Sequence, residues 1–431
     1  MNTAAARHVI VVGAGWAGLA AAVRLVQRGH RVTVLEMAPQ PGGRARSLAR
    51  GDDVLDNGQH ILIGAYTETL ALMKTVGADP SQVLRRLPLT LRQPGRHGLQ
   101  LPDGPAVPAF VRGVLACRDW TWGERLALLR AASAWALRRF RCPPTTTVSQ
   151  LCAGLPPRLR ADLIEPLCVA ALNTPAEDAS AQVLLRVLRD ALFSGPGAAD
   201  LLLPRVPLDQ LLPRPAVTWL QAHAAVLQFT HRVTTVARRG AGWTIDGEPA
   251  DAVVLAASAP ESARLVADLA PDWAALASAF AYEPIVTVYA DAPGARLDAP
   301  MLALPADDTR HPAQFVFDLS ALGGPSGRLA FVISGAANWV AAGRDAIAAA
   351  TQAQARSAWP GQAWADSLTA RQVLIEKRAT FRCTPGLARP AARLATGLWA
   401  AGDFIEGPYP ATLEGAVRSG LQAADGVIAD A

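Results

Sequence analysis

VIVVGAGWAGLAAAVRLVQRGHRVTVLE, residues 9–36, decides the fold. The β-branched run Val9–Val12 leads into Gly13, Gly15 and Gly18. A stretch rich in Ala and Leu follows, then Gly29, then a second β-branched run from Arg31 to Leu35 that ends at Glu36. Each part has a physical task. Gly13 permits a tight turn, Gly15 leaves room for a pyrophosphate against the backbone, and Gly18 lets the helix lie close on the strand. The helix N-terminus, with Ala14, Trp16 and Ala17 around it, offers free N–H groups and a partial positive charge to phosphates. Glu36 closes the second strand, where a carboxylate accepts from ribose hydroxyls, and Met37 follows it. The pattern predicts a dinucleotide-binding βαβ unit over the first ~60 residues.

At 431 residues the chain is too long for one simple core, so two or more domains are expected. Half of it is apolar and 18% is charged, which reads as a globular protein with a large buried interior. The net charge of +5 comes almost wholly from arginine, because Lys74 and Lys377 are the only lysines. No Lys/Arg run is interleaved with aromatics, which argues against nucleic acid. An anionic membrane surface stays compatible. Cys117, Cys142, Cys152, Cys168 and Cys383 form no CxxC pair and read as small buried residues of a reducing cytosol, without disulfide framework or metal site. The apolar run Val9–Val26 is interrupted by three glycines and Arg24, so it is read as neither signal peptide nor membrane span.

Downstream, Thr67–Val76 reads as an amphipathic helix. Trp122–Arg141 reads as a helix stopped by Pro143 and Pro144, and Val148 to about Phe193 as a second helical region. Pro204–Pro215 reads as a linker. Val226–Val236 and Asp251–Ala257 have the pattern of strands returning to a nucleotide-binding sheet, and further strands fall between 281 and 340. From Gly397 onward come a strand, a loop and a last helix. The expected division is a discontinuous nucleotide-binding domain of residues 1–66, 217–265 and 390–431, with a substrate domain of residues 67–216 and 266–389.

Pro41-Gly42-Gly43-Arg44-Ala45 separates FAD from NAD. A glycine doublet and an arginine just after the ribose-binding acid supply extra N–H groups and a fixed positive charge near a diphosphate. Asn57-Gly58-Gln59-His60 suits backbone passing close to a flavin ring. Leu398–Asp403 reads as a strand ending in Gly402-Asp403, whose carboxylate suits ribityl hydroxyls. Thr412-Leu413-Glu414-Gly415-Ala416 opens the last helix, whose N-terminus would stabilise negative charge on a reduced flavin.

Three separated motifs, GAGWAGLAAA, PGGRARS and AAGDFIEGPYPATLEGAVRSG, occur in the order found in the FAD-dependent amine oxidase and phytoene desaturase superfamily, which the chain resembles. The resemblance implies an α/β fold: a GR2-type Rossmann-like FAD-binding domain with an inserted mixed α+β substrate domain. It implies that the first glycine loop and Glu36 hold the ADP part, that Arg44 and its neighbours hold the diphosphate, and that Val233 in a middle strand holds the adenine. Gly402 and Asp403 would hold the ribityl chain, and Thr412 to Ala416 would lie at the ring. Glu165–Pro175, Asp178–Ala181 and Leu203–Leu211, with Asn57–His60, are similar to the hydroxysqualene dehydroxylase family over nearly the whole chain. That family reduces hydroxysqualene to squalene on a bacterial route to hopanoids.

The implied reaction needs a proton donor near the departing hydroxyl, and His60 and Glu414 flank the predicted ring site. It also needs an apolar tunnel for a triterpenoid, expected from Leu163–Leu172, Val183–Leu192 and Phe315–Phe317. Residues 107–140, with Phe110, Trp120, Trp122, Trp135 and Phe140 among arginines, suggest a peripheral contact with the inner membrane from the cytoplasm. No second dinucleotide fingerprint is present, so the electron donor is unassigned and a separate partner is compatible. The rival readings are a carotenoid-type desaturase, an amine oxidase (disfavoured by the scarcity of lysine) and a lipid escort protein without chemistry.

Overall fold

The computed structural model describes residues 6–51, 53–307 and 309–430, so the outermost residues of the segments 1–66 and 390–431 lie outside the described residues. The opening stretch forms β1 (His8–Val12), α1 (Trp16–Gln27) and β2 (Arg31–Leu35). β3 (Val226–Gln228) pairs with the outer side of β2, and β4 (Ala252–Leu255) with the far side of β1. The strands Leu398–Ala400 and Arg393–Ala395 complete a six-stranded sheet beyond β4, parallel except for that last pair. Three distant parts of the chain thus share one sheet. β1 and β4 are apolar on both faces because helices and an inserted layer cover both sides.

Seven helices position the site. They are α1, α2 (Thr67–Thr75), α3 (Ala106–Ala116), α4 (Trp122–Leu137), α5 (Ala181–Phe193), α6 (Pro213–Ala222) and α7 (Leu413–Ala429). α1 needs small residues because it is crowded on two sides. A Cβ on Gly18 would stand 1.9 Å from the Gly13 carbonyl oxygen, and one on Gly420 of α7 would stand 2.1 Å from that of Ala17. The first and last helices therefore meet backbone to backbone.

A second, antiparallel sheet runs in the order Met301–Ala303, Phe315–Asp318, Arg328–Ile333, Tyr282–Asp291, Thr369–Phe381. Its residues alternate between two cores with the period of a strand. Phe315 and Phe317 join the core shared with α3, α4 and α5, while Val316 joins the core under the helix Arg344–Ala358.

Three expectations are corrected. The Pro-rich stretch is no linker: Leu208, Leu211 and Leu212 are fully buried, and Pro213 sits in the first turn of α6, where its missing N–H removes no helical bond. α2 and α6 pack into the core of α1 and α7, so packing draws residues 67–84 and 208–216 to the body of the first sheet, away from the insertion in which the boundaries at 67 and 216 placed them. The strand expected over Val226–Val236 ends at Gln228. His231 donates its N–H to the Glu36 carbonyl, and Thr234 and Thr235 donate theirs to Asp246, so Val233 lies in an irregular loop. Among the described residues, no helix is long and apolar enough to cross a membrane.

Gly420→Ala tests the helix crossing. Alanine gains about 0.5–1 kcal/mol in a helix interior, whereas overpacking costs about 1–3 kcal/mol. The variant is expected to melt below the wild type, which calorimetry checks; an unchanged melting point would show that the helices can part without cost.

Candidate active site

Two glycine loops lie side by side at the C-terminal ends of β1 and β2. Gly13 N–H donates to the Leu35 carbonyl at 2.7 Å, Gly42 N–H donates to the Ala14 carbonyl at 2.9 Å, and Gly15 and Gly42 form a short parallel bridge. Trp16 adds a third tie, its indole N–H donating to the Ala45 carbonyl at 3.0 Å. The Glu36 carboxylate is fixed at the end of β2 by the N–H groups of Ala14 and Ala38, at 2.6 and 2.8 Å. No side chain caps α1, so its first-turn N–H groups remain available to an anion. A Cβ built on Gly15 meets nothing nearer than Gly43 Cα at 3.9 Å, which leaves open space for a ligand to fill.

The chain's two ends join directly at this point. Arg44 pairs with Asp403, and its other guanidinium nitrogen donates to the Ala379 carbonyl at 2.8 Å. Asn57 donates to the Arg44 carbonyl at 3.1 Å and to Glu376 at 2.8 Å. Gly402 N–H donates to Ser419 of α7 at 3.1 Å. Thr412 caps α7 by accepting from Gly415 N–H at 3.1 Å.

One cavity of about 730 Å³ collects the residues singled out for the cofactor except Ala14, Gly18 and Gly415, which stand behind its wall, and about half of those expected to line the tunnel. Ala14 and Gly18 belong to the turn and the helix–strand contact, and Gly415 to the cap. Val233 lines the nucleotide end beside Arg232 and Glu261, and its carbonyl accepts from Arg264 at 2.8 Å. Met37 also lines this end.

His60 lies on the wall, with Nδ1 2.9 Å from the Gly58 carbonyl. Nδ1 therefore carries a proton, and Nε2 is the nitrogen that titrates. Burial lowers the His60 pKa; the Gly58 bond opposes this and the nearby Arg44 adds to it.

Glu414 is a correction. It borders the cavity, but its carboxylate accepts from the N–H groups of Glu68 and Thr69 at 3.1 and 2.9 Å, from the Thr69 hydroxyl at 2.7 Å, and from Arg418 at 2.8 Å. It is almost fully buried and neutralises the N-terminus of α2. It acts as a joint between α2 and α7, and its oxygens are consumed there instead of donating a proton.

The cavity wall also holds Tyr66 and Tyr409, the second of which lies within the last sequence motif and is the wall residue that the amine oxidase reading would use. Tyr66 lines it, with its phenol pushed up by burial. Tyr409 lines it between two guanidiniums, Arg186 at 4.8 Å and Arg418 at 5.4 Å from its ring, and its hydroxyl accepts from Arg186 at 2.9 Å. Asp190 binds the same Arg186. The spacing of Arg186 and Asp190 along α5 was a readable signal, whereas their meeting with Tyr409 comes from the tertiary fold. Elsewhere the wall is mainly apolar, with Leu91, Leu128, Trp135, Leu163, Phe315 and Phe317, and Asn173, Ser334 and Thr380 are among its polar members.

A dinucleotide cradle opening into an apolar chamber defines the class: a flavin-dependent oxidoreductase. The flavin containing amine oxidoreductase family model matches residues 16–428. Hydroxysqualene dehydroxylase of Rhodopseudomonas palustris is 31% identical over 448 residues, covering 98% of this chain and 99% of that one. The enzyme of the same name from Zymomonas mobilis is 26% identical over 439 residues, covering 96% and 97%. The fold is shared with a crystal structure of an oxidoreductase from Methanosarcina mazei, with a TM-score of 0.74 at 15% identity over 97% of this chain and 100% of that one. The chain belongs to the hydroxysqualene dehydroxylase family of flavin containing amine oxidoreductases.

Two variants test the electrostatics. Glu414→Gln would present an amide N–H₂ to donors, costing about 2–4 kcal/mol. Its melting point is expected to fall while turnover per bound flavin stays near wild type; a selective loss of turnover would restore a catalytic role. Asp56, half-buried just before Asn57, has its carboxyl pushed up to about 6, chiefly by its removal from water and further by Asp209, against bonds from Leu208 N–H and Ser47. The folded carboxyl keeps its proton to a higher pH than the unfolded one. Its contribution is thus complete below about pH 4 and is lost as pH rises through about 6, a swing of about 3 kcal/mol. Asp56→Asn is expected to remove that swing, gaining stability on the wild type between pH 4 and 7 in urea unfolding; parallel pH profiles would contradict it.

Proposed function

We propose that the protein reduces hydroxysqualene to squalene, and that its nucleotide body is the GR2-type arrangement, with FAD held by the residues of the polar arm. The observation that carries this reading is the continuity of the cavity: one space runs from Gly15, Glu36 and Arg44 to a chamber walled by Leu128, Trp135, Leu163 and Phe317. The near full-length similarity to hydroxysqualene dehydroxylases supports the substrate.

FAD supplies, in its reduced form, the hydride that replaces the hydroxyl. The chain's own residues have three tasks. The glycine loops, Glu36 and Val233 hold the ADP part, Arg44 with Asp403 fixes the diphosphate and ribityl region, and Thr412, Leu413 and Ala416 set the helix N-terminus at the ring. The apolar wall desolvates the substrate and keeps water from the reacting carbon. The third task is a proton for the hydroxyl oxygen, so that the C–O bond breaks with water as the leaving group while the allylic carbon accepts hydride. His60 is the proposed donor, from Nε2. Its depressed pKa makes the cation a stronger acid and a scarcer one, and general acid assistance is worth roughly 10²- to 10⁴-fold. Tyr66 and Tyr409 retain their protons and orient the hydroxyl.

The amine oxidase reading finds no support on the wall, since neither Lys74 nor Lys377 lines the cavity. Local similarity to a phytoene dehydrogenase of Streptomyces griseus, 36% over 139 residues, keeps a desaturase as the rival. Anaerobic incubation of chemically reduced protein with hydroxysqualene is expected to yield squalene by mass spectrometry, one per flavin oxidised. Oxidised protein producing a new double bond in a polyene precursor would favour the rival. Turnover under saturating reductant is expected to rise as pH falls from 8 toward the depressed His60 pKa, and His60→Gln to flatten that profile with a loss of about 10² or more. A pH-independent wild type would remove His60 from the chemistry.

A further inference from the structure

α3 and α4 are apolar on both sides. Inward, Phe110, Leu128, Ala132 and Trp135 wall the chamber. Outward, Val107 and Leu115 of α3 and Trp122, Leu126 and Leu137 of α4 are exposed, Trp122 by 64% and Leu137 by 85%. A helix at a water-facing surface carries polar residues on its outer face; these two carry a second apolar one. The aromatic residues expected at the membrane divide accordingly. Trp120, Trp135 and Phe140 are buried, and Trp122 alone of the set is largely open.

The end of α4 connects the two faces. Arg139 and Phe140 adopt consecutive left-handed conformations, φ 54° and 56°, which stop the helix and turn Phe140 into the chamber wall. Phe140 meets Phe193 edge to face at 5.3 Å, and Phe193 is 54% exposed. One ring faces the cavity and its neighbour faces outside.

Charge identifies the occupant. Arg112, Arg118, Arg130, Arg138, Arg139 and Arg141 are exposed around this face, and none pairs with a carboxylate among the described residues. Of the nearby acids, Asp119 is engaged by Gly98 N–H and Glu124 in the capping box with Thr121, while Asp103 is exposed and meets Arg112 through its backbone carbonyl, not its carboxylate. Exposed apolar side chains on the same two helices as arginines without carboxylate partners match the apolar–anionic boundary of a lipid surface.

We propose that α3 and α4 dock the protein into the headgroup layer of an anionic bilayer, with the Phe140–Phe193 edge as the doorway between lipid and chamber. The doorway's cargo rests on the function proposed above, whereas the docking does not. Sedimentation of the flavin-loaded protein with phosphatidylcholine vesicles, with and without phosphatidylglycerol, tests it in the absence of substrate. Binding is expected to the anionic vesicles and to weaken in about 0.5 M salt. The triple variant Trp122→Ser, Leu126→Ser, Leu137→Ser is expected to lower partitioning by about tenfold or more, with unchanged melting point, flavin content and turnover of detergent-dispersed substrate. No binding by the wild type, or equal binding by the triple variant, would overturn the proposal. So would light scattering that shows a dimer split by the same substitutions. Vesicle binding without squalene formation would instead leave the docking intact and refute the assigned reaction.

Discussion

The crossing of α1 and α7 is the contact on which the site depends. It is made at Gly420, with no room for a Cβ between the last helix and the Ala17 carbonyl of the first. That approach places Thr412, at the head of α7, within the same cavity as the glycine turn at the head of α1. Two helix N-termini then serve one chamber, and both favour negative charge. One suits phosphate. The other suits the charge that accumulates on a flavin ring when it takes up electrons.

Polar ties make the crossing specific. Arg44 to Asp403 and Gly402 to Ser419 join the N- and C-terminal segments, while Glu414 fastens α7 to α2. These groups are at least partly buried, so each is bonded to a partner instead of to water. The polar half of the cavity is thereby held together by bonds within the protein itself. The other half is built by the insertion from leucines and aromatics with few hydrogen-bonding groups. This division suits a reaction in which a polar cofactor and an apolar chain must meet over a short distance.

Much of this was legible in the sequence where sterics leave little choice. Gly13 and Gly18 are required by close backbone contacts, and such contacts follow from local strand–turn–helix geometry. Side-chain direction across elements was not legible. Glu414 stands beside the ring motif in the sequence, yet its carboxylate turns to α2, which is hundreds of residues away along the chain. Proline content suggested a linker at 204–215 because composition does not tell a helix's first turn from a loop. α4 is apolar around much of its circumference, so periodicity did not tell which of its aromatics face inward. Tyr66 carried no motif, and Tyr409 lies within the last one without any sign there of its meeting Arg186.

The proposed reaction requires cofactor and hydrocarbon to share one continuous cavity. Squalene, which has no hydroxyl to react, can be titrated into the flavin-loaded protein while the flavin absorbance spectrum is recorded. A saturable spectral perturbation that ends at one squalene per flavin is expected, because the ring loses water when the chamber fills. A spectrum unchanged by bound squalene would place the hydrocarbon elsewhere and contradict the proposed reaction.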